Sequence, residues 1–110
     1  MRRVAANWVF RSENKIFKHA VVVLSDIYAC NYYKIEDDMP PAEWLGGIVF
    51  LSSQEEVELP EYVTINQLKS ILLSEEFTPR YAYHLIGIEI DFQDSFPSSY
   101  LIRLEDDGDY

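Results

Sequence analysis

Hydrophobic and polar positions along this chain read mostly as strand. Val4 to Phe10 is a short apolar run bounded by Arg2-Arg3 and by the polar stretch from Arg11 to Lys15, which predicts a first strand followed by a turn. Phe17 to Leu24 carries consecutive β-branched residues and is apolar on both parities, the pattern of a strand buried on both faces. Ile27 to Ile35 alternates, so it pairs with the preceding strand as a hairpin turning near Ser25-Asp26. Glu36 to Pro41 is a loop, because Pro40-Pro41 offers no backbone donors and the acidic triplet needs water. Ile48 to Leu51 is another buried-type strand, entered through Gly46-Gly47, a pair that permits a bulge or sharp bend. Val57 to Leu59 reads as a short edge strand.

A single helix is predicted over about residues 64–76. Thr64-Ile65-Asn66-Gln67 fits a capping box, and Ile65, Leu68, Ile71 and Leu72 form an apolar stripe. Tyr81 to Phe92 then alternates, with Ala82, His84, Ile86, Ile88 and Ile90 on the expected core face. Ser99 to Leu104 is the last expected strand, with Tyr100, Ile102 and Leu104 packed on one side. Residues 105–110 form an acidic tail expected to fray. The sum is an α+β, mostly β single domain over residues 1–110, with five to six strands in a small β-sandwich or strongly curved sheet and one helix.

Composition narrows the partners. The 110 residues hold nineteen Asp and Glu against nine Lys and Arg, a net charge of −10, which repels nucleic acid and anionic membrane surfaces. The charge is uneven: residues 1–34 hold six basic residues against Glu13 and Asp26, while residues 35–110 hold three against seventeen acidic ones. The basic third therefore has an acidic surface to meet within its own chain. Aromatic residues make up 15% of the sequence, too many for a disordered segment. A lone cysteine, Cys30, has no intramolecular disulfide partner. No apolar run approaches the ~18 residues of a membrane span, and nothing before Val4 resembles a signal peptide, so a cytoplasmic protein is expected.

Little in the sequence points to catalysis. His19 and His84 lie in strand patterns, and neither a His-x-His nor a Cys-x-x-Cys spacing gathers metal ligands, so no metal or other cofactor is expected. His84 on an apolar strand face reads as a histidine satisfied at the core edge, with a ligand-lined cleft as the sharper alternative. Cys30 in an alternating strand reads as a small hydrophobe rather than a nucleophile. The acidic runs at 36–38, 55–56, 75–76 and 105–107 sit in loops, a helix end and the tail, where water keeps them ordinary. Trp8, Tyr32, Tyr33 and Trp44 are the candidate interaction surface, since Tyr and Trp are favoured at interfaces.

The order of elements resembles a known family. Arg3 to Phe10, Ala20 to Leu24, Ile27-Tyr28-Ala29 and Trp44 to Leu51 look like the opening strands of amidohydrolase-type metal-dependent hydrolases, in which such strands build a small β-sandwich beside the catalytic barrel. Val63 to Leu68 and Leu85 to Asp91 are similar in order to the end of that family, where a helix precedes strands that return to the sandwich. In the family, the strand matching Gly47 to Leu51 runs into a metal-binding His-x-His. Here Ser52-Ser53-Gln54-Glu55 follows, and the barrel is missing. The resemblance implies a free-standing β-domain without metal or hydrolysis.

The expected function is thus a non-catalytic structural or protein-interaction module. Its partner is a protein, or a second copy of the chain paired through an edge strand. The alternative is an acidic inhibitor or immunity-type protein that masks a basic partner.

Overall fold

The computed structural model describes residues 2–24, 31–34, 42–74 and 79–105. Its first elements are β1 (Arg2–Ser12), β2 (Lys15–Leu24), β3 (Asn31–Lys34), β4 (Glu43–Trp44) and β5 (Ile48–Ser52). There follow β6 (Tyr62–Val63), helix α1 (Ile65–Leu72), β7 (Tyr81–Leu85), β8 (Phe96–Pro97), a 3₁₀ turn at Ser98–Tyr100 and β9 (Leu101–Leu104). One seven-stranded sheet runs β3-β2-β1-β5-β7-β9, with β4 beside the first half of β1, and β6 pairs β8 in a separate ribbon. All neighbours are antiparallel except β1 with β4 and with β5, so the sheet is mixed and open. The mostly-β α+β fold with one helix is as the pattern predicts. The predicted turn at Ser25-Asp26, Cys30, the loop up to Pro41, residues 75–76 and the tail beyond Glu105 lie outside the described residues.

Two core clusters lie on the two faces of the sheet. One gathers Val4, Ala6, Val9, Ala20, Val22, Leu24, Val49, Leu51 and Ala82, with Phe17, Leu45 and Leu104 packed on it. The other joins Phe10, Ile48, Phe50, Tyr83 and Leu85 to the buried stripe Ile65, Leu68 and Leu72 of α1 and to Val63 and Phe96. Phe10 and Phe50 meet edge to face at 5.0 Å. The helix starts where the capping box predicts: Thr64 Oγ1 accepts from the Gln67 amide, and Gln67 Oε1 accepts from the Thr64 amide at 2.8 Å. It ends sooner than expected, because Leu73 turns to extended backbone while its N–H still donates to the Lys69 carbonyl.

Three further expectations are corrected. The strand from Tyr81 stops at Leu85: Gly87 sits at φ +76° and swings the chain out of the sheet, leaving Ile86 exposed instead of in the core. Tyr100, in the 3₁₀ turn, and Ile102, on β9, are exposed as well instead of packed with Leu104, which is partly buried against the core. Val57 to Leu59 forms no strand; the short pairing falls instead at Tyr62–Val63.

The sheet is crossed by a line of irregularity. From Arg2 to Phe10 every residue of β1 except Asn7 has a β2 partner, and His19, the residue opposite it, has φ +50°. Val4 and Ala6 point to one core before this place and Val9 after it, so the side-chain alternation slips by one. Ala20, Val22 and Phe17 show the same slip on β2. Both strands shift together, and pairing resumes in register at Trp8 with Lys18. On the other side of β1 the chain passes from Trp44, beside Ala5, to Ile48, beside Trp8, with one residue to spare. The surplus is a bulge at Gly46 (φ +69°) and Gly47 (φ +63°), in which the Leu45 and Gly46 amides both donate to the Ala5 carbonyl.

Candidate functional site

This line positions the groups of chemical interest. His84 on β7 faces the bulge, and its Nε2 lies 3.0 Å from the Gly46 carbonyl oxygen, so Nε2 carries the proton and donates. Val49 and Ile102, its cross-strand neighbours, carry no charge. Burial, the larger influence, holds the imidazole below its ordinary pKa, opposed by the bond to Gly46. The ring is therefore neutral near pH 7 and closes the bulge as a structural group.

On the face that packs against α1, the same line opens into a cleft of about 580 Å³. Asn7, Trp8, Gly47 and Ile48 form its floor and one wall; the arm from Gly87 through Ile88, Glu89, Ile90 and Asp91 forms the other. Ile88 and Ile90 pack partly into the helix-side core, and the Phe92 amide donates to the Glu89 carbonyl at 3.1 Å. That turn holds both carboxylates on the arm. Among the described residues neither Glu89 nor Asp91 has an ion-pair partner, and the Asn7 side-chain amide has no hydrogen bond. Lys18 Nζ lies 5.7 Å from the centre of the Trp8 ring.

A second feature sits at the same end of the sheet on the opposite face. The β7–β9 register continues from His84 with Ile102 to Ile86 with Tyr100, where the Ile86 amide donates to the Tyr100 carbonyl. Ile86, Tyr100 and Ile102 thus share one face, and they are 46%, 43% and 48% exposed. With Ile102 on β9, Tyr100 in the 3₁₀ turn before it and Ile86 just past β7, they form an apolar row where the β9 edge begins.

The structure places the side chains of two of the residues expected to form an interaction surface. Trp8 is half-buried in the cleft wall. Trp44 is 57% exposed on the short strand beside Ala5, its ring 6.4 Å from that of His19. Tyr32 and Tyr33 are placed by backbone pairing to Val22 and Val21, and their side chains lie outside the described residues. In the sequence, Glu89 and Asp91 fall on the parity opposite the expected core face that holds Ile86, and Tyr100 and Ile102 share a parity of the last expected strand. The signal that separates the carboxylates from Ile86 is Gly87, the one glycine inside the alternating run from Tyr81 to Phe92. Part of the basic N-terminus does meet its own acidic remainder: the Arg2 guanidinium forks onto Glu43 at 3.1 and 3.2 Å and so fastens β4 to β1.

The fold and these features define a small mostly-β domain with an open mixed sheet, a cleft beside a bulge and an exposed apolar row at the β9 end. No protein-family model, no curated protein and no solved structure matches the chain. Among the described residues, no helix is long and apolar enough to cross a membrane, and no three His, Cys, Asp or Glu side chains gather as metal ligands.

Proposed function

We propose that this chain is a non-catalytic protein-interaction module that docks through the β9 edge. The observation that carries the reading is the row of Ile86, Tyr100 and Ile102, three large side chains nearly half exposed, with Ile102 on β9, Tyr100 in the turn before it and Ile86 joined to Tyr100 by a backbone hydrogen bond. Isolated apolar residues are ordinary on a surface, whereas a contiguous patch on a strand edge is what a partner strand covers. The structural use of His84 supports the same reading, since its Nε2 proton is committed to the Gly46 carbonyl. The proposal includes kinship with the small β-domain of amidohydrolase-type hydrolases, supported by β1 lying between its antiparallel partner β2 and the parallel strand β5, which leads into Ser52-Ser53 rather than histidines.

The test uses the tagged full chain as bait in its native cells, alongside Ile102→Lys and a control, Ile16→Ser, an exposed position on β2, which β1, β5 and β7 separate from β9. One stoichiometric protein, retained through a high-salt wash by the wild type and the control and lost by Ile102→Lys, is the expected result. A second copy of the chain satisfies it equally, and sedimentation velocity then shows a concentration-dependent dimer. A partner that leaves at high salt and ignores Ile102→Lys overturns docking through the apolar edge in favour of charge masking. Failure to retain any protein, with a strictly monomeric chain, overturns the reading altogether.

A further inference from the structure

The geometry points to a binding site for an organic cation in the cleft between Trp8 and the arm from Gly87 to Asp91: a guanidinium or amidinium carried on a flat or apolar body. This goes beyond the edge reading and does not depend on it, because the cleft lies on the other face of the sheet and a small probe tests it with no partner present.

Four observations carry it. The cavity of about 580 Å³ falls within the roughly 300–1,000 Å³ of small-molecule sites and far exceeds what a bare ion fills. Its lining combines an apolar wall, made by Trp8, Ile48, Ile88 and Ile90, with the polar groups of Asn7, Glu89 and Asp91. That is the composition of a pocket that buries a body and fixes a head. Those polar groups are free: neither carboxylate has an ion partner and the Asn7 amide has no hydrogen bond among the described residues. Finally, the charge has one sign, since no Lys or Arg lines the cleft. Lys18 stands beside Trp8 as the opposing charge, its ammonium 5.7 Å from the ring centre.

A planar cation suits this lining better than an ammonium. A guanidinium or amidinium presents a fork of N–H donors that two carboxylates can accept, and its weakly hydrated plane stacks on an indole. Gly47 and Gly87, both at positive φ, keep the two rims free of side chains. The cation has two possible sources, a free small molecule or an arginine side chain of another protein. Their shared chemistry is what the cleft reads.

The experiment follows Trp8 fluorescence in a Trp44→Phe background, together with amide and indole NMR shifts, during titration with benzamidine and, separately, with a short capped peptide holding one Arg. The neutral isostere benzamide is the negative probe. Saturable binding is expected, with shifts confined to the Trp8 indole, Asn7, Gly47 and the 87–91 arm. It should weaken by about tenfold or more in Glu89→Gln/Asp91→Asn and stay unchanged in Glu61→Gln, an exposed acid outside the cleft. Tighter binding of benzamidine identifies the source as a small molecule, and tighter binding of the peptide identifies it as a protein side chain. The proposal is overturned if neither cation shifts the cleft signals at millimolar concentration, if benzamide binds as well as benzamidine, or if Glu61→Gln weakens binding as much as the double variant. The NMR spectrum of the double variant confirms its fold, because both exposed acids leave the core untouched.

Discussion

The imidazole of His84 and the carbonyl of Gly46, thirty-eight residues apart, meet at 3.0 Å across the point where the sheet loses its regular pairing. A bulge leaves carbonyls turned away from the strand ladder, and one buried without a partner costs about 1–3 kcal/mol. His84 satisfies this one from the neighbouring strand while remaining only 7% exposed itself.

The contact fixes a pH dependence. Burial lowers the folded-state pKa of His84 below its ordinary value of 6.5. Between the folded-state and unfolded-state values the unfolded chain binds more protons than the folded one, so stability rises with pH across that window and is level above it. Melting temperatures of the wild type and of His84→Gln, measured from pH 5 to 8, should both respond to the shared acidic groups, but the wild type should lose additional stability as pH falls below 6.5. Parallel curves for the two proteins would show that the imidazole titrates alike folded and unfolded.

The bulge glycines should rank in a definite order when replaced by alanine. At Gly47 a Cβ meets the Leu85 carbonyl oxygen at 2.6 Å and His84 Nε2 at 3.1 Å, and the residue has φ +63°. At Gly46 the closest atom is Asn7 Oδ1 at 3.3 Å, the end of a side chain that can yield. At Gly87 nothing lies within 4 Å, leaving only the cost of positive φ, roughly 1–2 kcal/mol. Urea unfolding should place Gly47→Ala as the most damaging, above about 3 kcal/mol because backbone must move, with Gly46→Ala between it and Gly87→Ala.

The cap of α1 makes a local prediction. Thr64→Ala removes the acceptor for the Gln67 amide and should cost about 1 kcal/mol. Gln67→Ala frees the Thr64 amide at an exposed position, where water replaces the lost bond, and should cost less. Chemical denaturation of the two variants and their double mutant measures both effects and their coupling.

These cases also mark how far the sequence could be read. The capping box was legible because its four residues are contiguous, and the buried strands at 20–24 and 48–51 because their apolar runs exceed what one sheet face demands. The cleft was not legible. Asn7, Gly47 and the 87–91 arm come together only through the pairing of β1, β5 and β7, which no local pattern specifies. Glu89 and Asp91 alternate with isoleucines as a strand's polar face would. Only the positive φ of Gly87, a conformation open to glycine but not dictated by it, turns that alternation into an arm. The His84–Gly46 contact was half legible: the residue type suggested a satisfied core-edge histidine, but its partner lies on another strand.

The β9 edge allows stability and association to be separated. Ile102 is nearly half exposed, so Ile102→Lys should change unfolding free energy by no more than about 0.5 kcal/mol. Leu68 is fully buried between α1 and the sheet, and Leu68→Ala should cost about 2–5 kcal/mol through lost contacts and an unfilled cavity. If the apolar row is a docking edge, the two variants behave oppositely: Ile102→Lys keeps its melting temperature and loses the partner, whereas Leu68→Ala melts early but binds normally at temperatures where it is folded. Calorimetry paired with a binding assay on the same samples measures both quantities. Loss of stability in Ile102→Lys comparable to that in Leu68→Ala would mean that the row packs against its own chain and is not a surface held open for another.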